Sequence, residues 1–402
     1  MPRRLLALAL VLAAVLVRLG ASGADDVEEF VRRHWRTPIP AQGPAPAHFS
    51  ALEASLTPEA CGTCHPAQLA DWRGSWHAVA TGPGLAGQLV EMLRSDPDTA
   101  LSCLGCHAPL TEQAPLVADE GGVRANPVFD AGLHRRGLTC AGCHVRGHER
   151  FGPPRRDGSL ESGAPRDTLP HGGVTRTPAF HASQFCRGCH QFAPDGFALE
   201  GKLLENTYEE WRASRFAREG VPCQDCHMPD RRHLWRGIHD PEMVRSGVTI
   251  TARAGAERYR PGDTAVVTLR VESTRVGHAF PTYVTPRVVL RAELVDARGA
   301  VVSGSRQERI IAREVSVDLE REIADTRLLP GQHVTLEYRR RVPRGGLRAR
   351  LSVRVEPDAF YTRFYEALLA QGAGRGEAQI REALAAARRS PFTIFVQELP
   401  LS

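Results

Sequence analysis

Cys61-Gly-Thr-Cys-His65 is the first of five copies of Cys-x-x-Cys-His. Cys103-Leu-Gly-Cys-His107, Cys140-Ala-Gly-Cys-His144, Cys186-Arg-Gly-Cys-His190 and Cys223-Gln-Asp-Cys-His227 follow, and together they use all ten cysteines of the chain. In this spacing two thiols about one helical turn apart add to the two vinyl groups of a haem, and the histidine that follows reaches the iron. Disulfides give no reason for a histidine after every second cysteine. Zinc knuckles draw Cys-x-x-Cys pairs together two at a time, and five is an odd number. The motifs therefore predict five covalent haem c (heme c) groups, held by Cys61, Cys64, Cys103, Cys106, Cys140, Cys143, Cys186, Cys189, Cys223 and Cys226, with His65, His107, His144, His190 and His227 on the irons.

Upstream, Arg3 and Arg4 precede an apolar run from Leu5 to Val17, and small residues Ala21 to Ala24 stand where a signal peptidase cuts. The run is short for a membrane span and Arg18 closes it. Residues 1–24 thus read as a secretory signal and the mature chain as exported, to the periplasm or the outer cell surface, which suits haem attachment outside the cytoplasm. The formal charge falls from +5 to +2 when the three arginines leave with the signal. Five ferric haems with ionised propionates turn it negative. The basic composition is therefore no argument for nucleic acid, and peripheral membrane association stays compatible with it. Lys202 is the only lysine.

Two textures divide the rest. Residues 25–246 are rich in Gly, Pro and His with scattered hydrophobic periodicity, as expected of a mostly α and irregular multihaem domain whose core is made of haem. Residues 146–178 read as a long irregular connection between the third and fourth motifs. From 247 to 402 cysteine vanishes and period two takes over: Val267, Leu269 and Val271, then Val334, Leu336 and Tyr338, then Leu351, Val353 and Val355 alternate with polar residues. Turn signals at 260–263, 297–299 and 329–332 separate the runs. This predicts an all-β, immunoglobulin-like sandwich, with a helical hairpin over 358–371 and 377–389 before a last strand near 392–396.

The sixth ligand decides what such haems do. Only Met92, Met228 and Met243 remain after the signal, so histidine supplies most of these ligands. His77 leads, in Trp72-Arg-Gly-Ser-Trp-His-Ala78, read as a helix returning over a haem. A weak copy, Glu210-Trp-Arg-Ala-Ser-Arg-Phe-Ala217, precedes the fifth motif with Phe216 in place of the histidine. His233 and His239 follow the fifth motif, His148 and His171 bracket the long connection, and His278 lies in Val276-Gly-His-Ala-Phe-Pro-Thr282. Bis-histidine haems are low in potential and closed to substrates, so they suit one-electron transfer.

Cys186-Arg-Gly-Cys-His-Gln191, Asn206-Thr-Tyr-Glu-Glu-Trp-Arg-Ala-Ser214, Gly220-Val-Pro-Cys-Gln-Asp-Cys-His-Met-Pro229 and Gly277-His-Ala-Phe-Pro-Thr282 resemble the multihaem c-type cytochromes of the cytochrome c-554 family, over roughly residues 55 to 300. The resemblance implies haems packed in close pairs, mostly bis-histidine ligation and a periplasmic or extracellular electron carrier. The redox partners expected of such a carrier are a quinol-oxidising module or other cytochromes. The family also tolerates a five-coordinate haem, which keeps an alternative: a reductase of a small nitrogen or sulfur oxyanion. Pentahaem nitrite reductases share the haem number but carry Cys-x-x-Cys-Lys at the catalytic haem, whereas all five motifs here end in His. Transfer without catalysis is the expected role.

Overall fold

The structure is a computed structural model that describes residues 25–401 apart from 162 and 344. The expected signal segment lies outside the described residues. Two compact units emerge: residues 25–82, 92–189 and 222–234 form the first, and 83–91, 190–221 and 235–401 the second. The second unit thus includes segments from the motif-rich region. No described helix is long and apolar enough to cross a membrane.

The first unit is built of short helices. A helix over 25–34 opens it, and the motifs ride on Pro58–Cys64, Pro97–His107, Cys140–His144 and Gln184–His190, with Cys223–His227 as the fifth. Side chains start three of them: Thr57 accepts from Ala60 N, Asp96 from Thr99 N, and Thr139 from Gly142 N. Each motif thereby holds its two thiols on one short helical segment. Apolar packing within this unit is confined to small clusters, such as Ile39, Leu110, Leu133, Ala141 and Val145, or Val27, Val31, Ala179 and Phe185. The connection after the third motif is less irregular than its composition predicts. Gly147 and His148 both take positive φ (55° and 61°), which suits a two-residue hairpin turn between Val145–Arg146 and Glu149–Gly152; the latter also pairs in parallel with Thr175–Arg176.

In the second unit, eight antiparallel strands carry the period-two pattern: β1 Val248–Ala254, β2 Thr264–Ser273, β3 Arg287–Val295, β4 Gln307–Val315, β5 Glu322–Asp325, β6 His333–Arg341, β7 Arg348–Glu356 and β8 Phe392–Pro400. They form a three-stranded sheet, β6-β2-β1, and a five-stranded one, β5-β4-β3-β7-β8. Both contribute one face to a single core: Val267, Leu269 and Val271 with Leu336 and Tyr338 from the first, and Val288, Leu290, Leu351, Val353 and Val355 from the second. Alternation is the cause, since successive strand side chains point to opposite faces. The helices Ala359–Gln371 and Glu377–Arg389 pack Tyr365, Ile380, Ala383 and Leu384 together.

Polar contacts lock further segments onto these sheets. Arg313, only 1% exposed, donates to Glu322 and to the carbonyls of Leu203 and Lys202. Lys202 Nζ reaches Glu322 and Asp325 in turn. The charge of Arg313 is tolerated inside because its donors meet a carboxylate and two carbonyls.

Candidate functional site

Third-motif geometry is the most telling. The His144 and His233 rings lie with centroids 6.2 Å apart and planes inclined by 36°. Imidazole nitrogen coordinates a first-row metal at about 2 Å, so two rings on opposite sides of one iron have centroids roughly 6 Å apart. Each ring has its Nδ1 on a backbone carbonyl: His144 on Phe151 O at 2.8 Å and His233 on Arg231 O at 3.1 Å. With Nδ1 so held, Nε2 is the nitrogen each ring would present to a metal. Burial pushes the His144 imidazole down to about 4 and lowers His233 as well, which favours the neutral form a ligand needs.

The same Nδ1 signature marks other histidines. His107 is tied to Ala80 O at 2.7 Å, His171 to Gly173 O at 3.1 Å and His278 to Ala279 O at 2.9 Å. Burial lowers the pKa of His171. His134, which the sequence did not single out, carries the signature too, on Gln113 O at 2.7 Å. Its only sequence cue is its place six residues before Cys140.

Other candidates sit differently. His148 is buried, with Nε2 on Gly43 O at 3.0 Å and a buried Nδ1 that has no hydrogen-bond partner, so any metal it binds must be met by Nδ1. His239 turns its Nε2 to Asp358 Oδ1 at 3.0 Å. His77 does not lie on a helix. The helix Pro66–Arg73 ends at Gly74, Ser75 Oγ binds the Trp72 carbonyl, and His77 follows in consecutive turns.

What holds those turns repeats. Trp72 Nε1 donates to the carbonyl of Leu138, two residues before Cys140, and Leu138 N donates to His77 O. Trp211 Nε1 donates to the carbonyl of Val221, two residues before Cys223, and Val221 N donates to Phe216 O. Asp71, before the first tryptophan, accepts from Arg232 and from His233 N at 3.0 Å. Glu210, before the second, accepts from Arg327 and from Ala279 N at 3.1 Å, beside His278. The weak sequence repeat is therefore a structural one, and His278 stands in its copy where His233 stands in the other. In the first copy residues 82–136, with the second motif, intervene before Gly137; in the second the chain runs straight on to Gly220.

None of the thiols is in a disulfide, and among the described residues no three Cys, His, Asp or Glu side chains converge on a point a metal ion could fill. Thiols of different motifs do meet: Cys61 with Cys140, Cys106 with Cys189, and Cys186 with Cys223.

A family described as cytochrome c554 and c-prime matches residues 60–145, the span of the first three motifs. The penta-heme cytochrome c552 of Thermochromatium tepidum superposes with a TM-score of 0.61, covering 88% of this chain and 100% of that one at 19% identity. The likeness to the cytochrome c554 family is thus carried by residues 60–145, and the likeness to the penta-heme cytochrome is one of fold. No curated protein matches this chain. Two solved structures align only in part: Spo0M of Bacillus subtilis (TM-score 0.13, 10% identity, 27% of this chain and 43% of that one) and the ApaA protein of Bordetella pertussis (0.17, 17%, 38% and 91%). A haem bound at these motifs would supply a one-electron couple, with the paired cysteines to tether it and the histidines to present imidazole.

Proposed function

We propose that this cytochrome carries electrons through five covalently bound haems, mostly with two histidine ligands, as an exported protein of the periplasm or outer cell surface. The observation that carries this reading is the His144–His233 pair at 6.2 Å. In this reading His77, His148, His171 and His278 supply further sixth ligands. The thiol contacts support haems in edge contact along two runs, the first with the third, and the second with the fourth and fifth. Electrons then pass stepwise between redox partners, other cytochromes or a quinol-oxidising module. The strand order β5-β4-β3-β7-β8 with β6-β2-β1 supports an immunoglobulin-like reading of the β region.

Intact mass of the purified protein counts the haems, and five are expected. Electron paramagnetic resonance with and without nitrite, hydroxylamine or carbon monoxide then tests their role. Low-spin signals that no ligand perturbs support a carrier. A high-spin signal that shifts with an added ligand would overturn it in favour of a reductase.

A further inference from the structure

Two buried donors near Cys143 have no acceptor. Trp35 Nε1 and Arg146 Nη2 are both shielded from solvent, and neither has a hydrogen-bond partner. They belong to one packed contact, with the guanidinium carbon of Arg146 5.3 Å from the Trp35 ring centroid. The rest of the guanidinium is committed: Nε donates to His34 O at 2.8 Å, and Nη1 to Gly142 O at 3.0 Å and Val145 O at 2.6 Å. These bonds fix the fork and leave Nη2 pointing at something else. The indole is equally fixed, edge-on to Phe185 at 5.3 Å and against Gly188, where an added Cβ would come 2.9 Å from Trp35 Cγ.

A shielded guanidinium N–H without an acceptor is costly even on a half-buried arginine. Among the described residues no carboxylate forms an ion pair with Arg146. Both orphans are donors, so the partner they lack is an acceptor, and the guanidinium charge favours an anionic one. They stand between the third motif, through Cys143 and Gly142, and the fourth, through Gly188. Haem attached at such motifs brings its own carboxylates.

We propose that Arg146 Nη2 and Trp35 Nε1 form a binding site for a haem propionate. This rests on the five-haem reading. A charge-assisted bond from Arg146, reinforced by the indole, offsets the propionate's negative charge and so favours the ferrous state of that haem, raising its potential above that of a haem with an unpaired propionate.

The test is spectroelectrochemical titration of the full holoprotein, wild type against R146Q and W35F, with intact mass to count haems. The expected result is that R146Q moves one midpoint negative by about 59 mV, a tenfold change in a one-electron equilibrium, while W35F moves the same midpoint less. Five haems with no midpoint moved in either variant overturns the propionate site alone. Fewer than five haems with a shifted midpoint overturns the five-haem reading and leaves the site supported. If added acetate or phosphate shifts the wild-type midpoint and R146Q abolishes that response, the site takes a free anion and the propionate assignment fails. Should R146Q yield no holoprotein, W35F decides, because it removes one N–H and keeps a ring.

Discussion

His144 and His233 lie 89 positions apart in sequence, yet their ring centroids are 6.2 Å apart, each ring with Nδ1 on a backbone carbonyl. His233→Ala should convert one haem from low-spin to high-spin and leave the others low-spin in electron paramagnetic resonance. An unchanged, fully low-spin spectrum would remove His233 from the ligand set.

Asp71 holds His233 in place, taking its backbone N–H and the Arg232 fork. The bond from Arg232 keeps the Asp71 carboxyl below its usual 3.8. A depressed folded-state pKa means that the stabilisation is complete above 3.8 and is lost as pH falls through the lower folded value. The high-spin form of that one haem should therefore grow only in acid, below about pH 4. In Asp71→Asn it should appear at neutral pH. Acid titration of the Soret band reads both, and identical profiles would show that Asp71 does not position the ligand.

Trp72 and Trp211 each donate an indole N–H to a carbonyl just before a motif, at 2.8 and 2.9 Å. Replacing either by Phe keeps the ring and strands the carbonyl, at an expected cost of about 1–3 kcal/mol in denaturant unfolding. Near-zero losses at both sites would mean that water or a relaxed turn satisfies the carbonyls.

Gly137 and Gly220 occupy matching places with positive φ (60° and 73°), but their surroundings differ. A Cβ at 137 would lie 2.4 Å from His77 O and 2.8 Å from Ala80 N, whereas one at 220 meets nothing within 4 Å. Gly220→Ala should cost only the left-handed backbone strain, roughly 1–2 kcal/mol. Gly137→Ala should cost more and disturb the turns around His77. Equal unfolding midpoints for the two variants would contradict the packing difference.

Arg313→Met takes the buried partner from Glu322 and from two carbonyls, and should destabilise the second unit by about 3–5 kcal/mol. Lys202→Met, at a half-exposed ammonium, should cost no more than about 1 kcal/mol. Denaturant unfolding followed by far-ultraviolet circular dichroism compares them.

Much of this was legible in the chain. The alternation at 267–271, 334–338 and 351–355 marked strands whose inner faces do pack together, because strand side chains obey a strict period of two. Helical periodicity placed the hairpin within a residue or so of Ala359–Gln371 and Glu377–Arg389. The stretch from Trp72 to Ala78 misled: a run that looks helical stops at Gly74, where Ser75 takes the last-turn carbonyl. Likewise the loop composition of 146–178 concealed a hairpin that two positive-φ residues turn.

The sequence by itself determined where the five Cys-x-x-Cys-His motifs lie and the attachment chemistry they predict, because the motif is local and its spacing needs only one short helical segment. Only the tertiary structure decided that His233 comes beside His144, that Trp72 and Trp211 head two copies of one arrangement, and that Arg146 and Trp35 hold donors without an acceptor. Those relations depend on where chain folding brings ring nitrogens and carbonyls within about 3 Å of one another, and spacing along the chain carries no record of that distance.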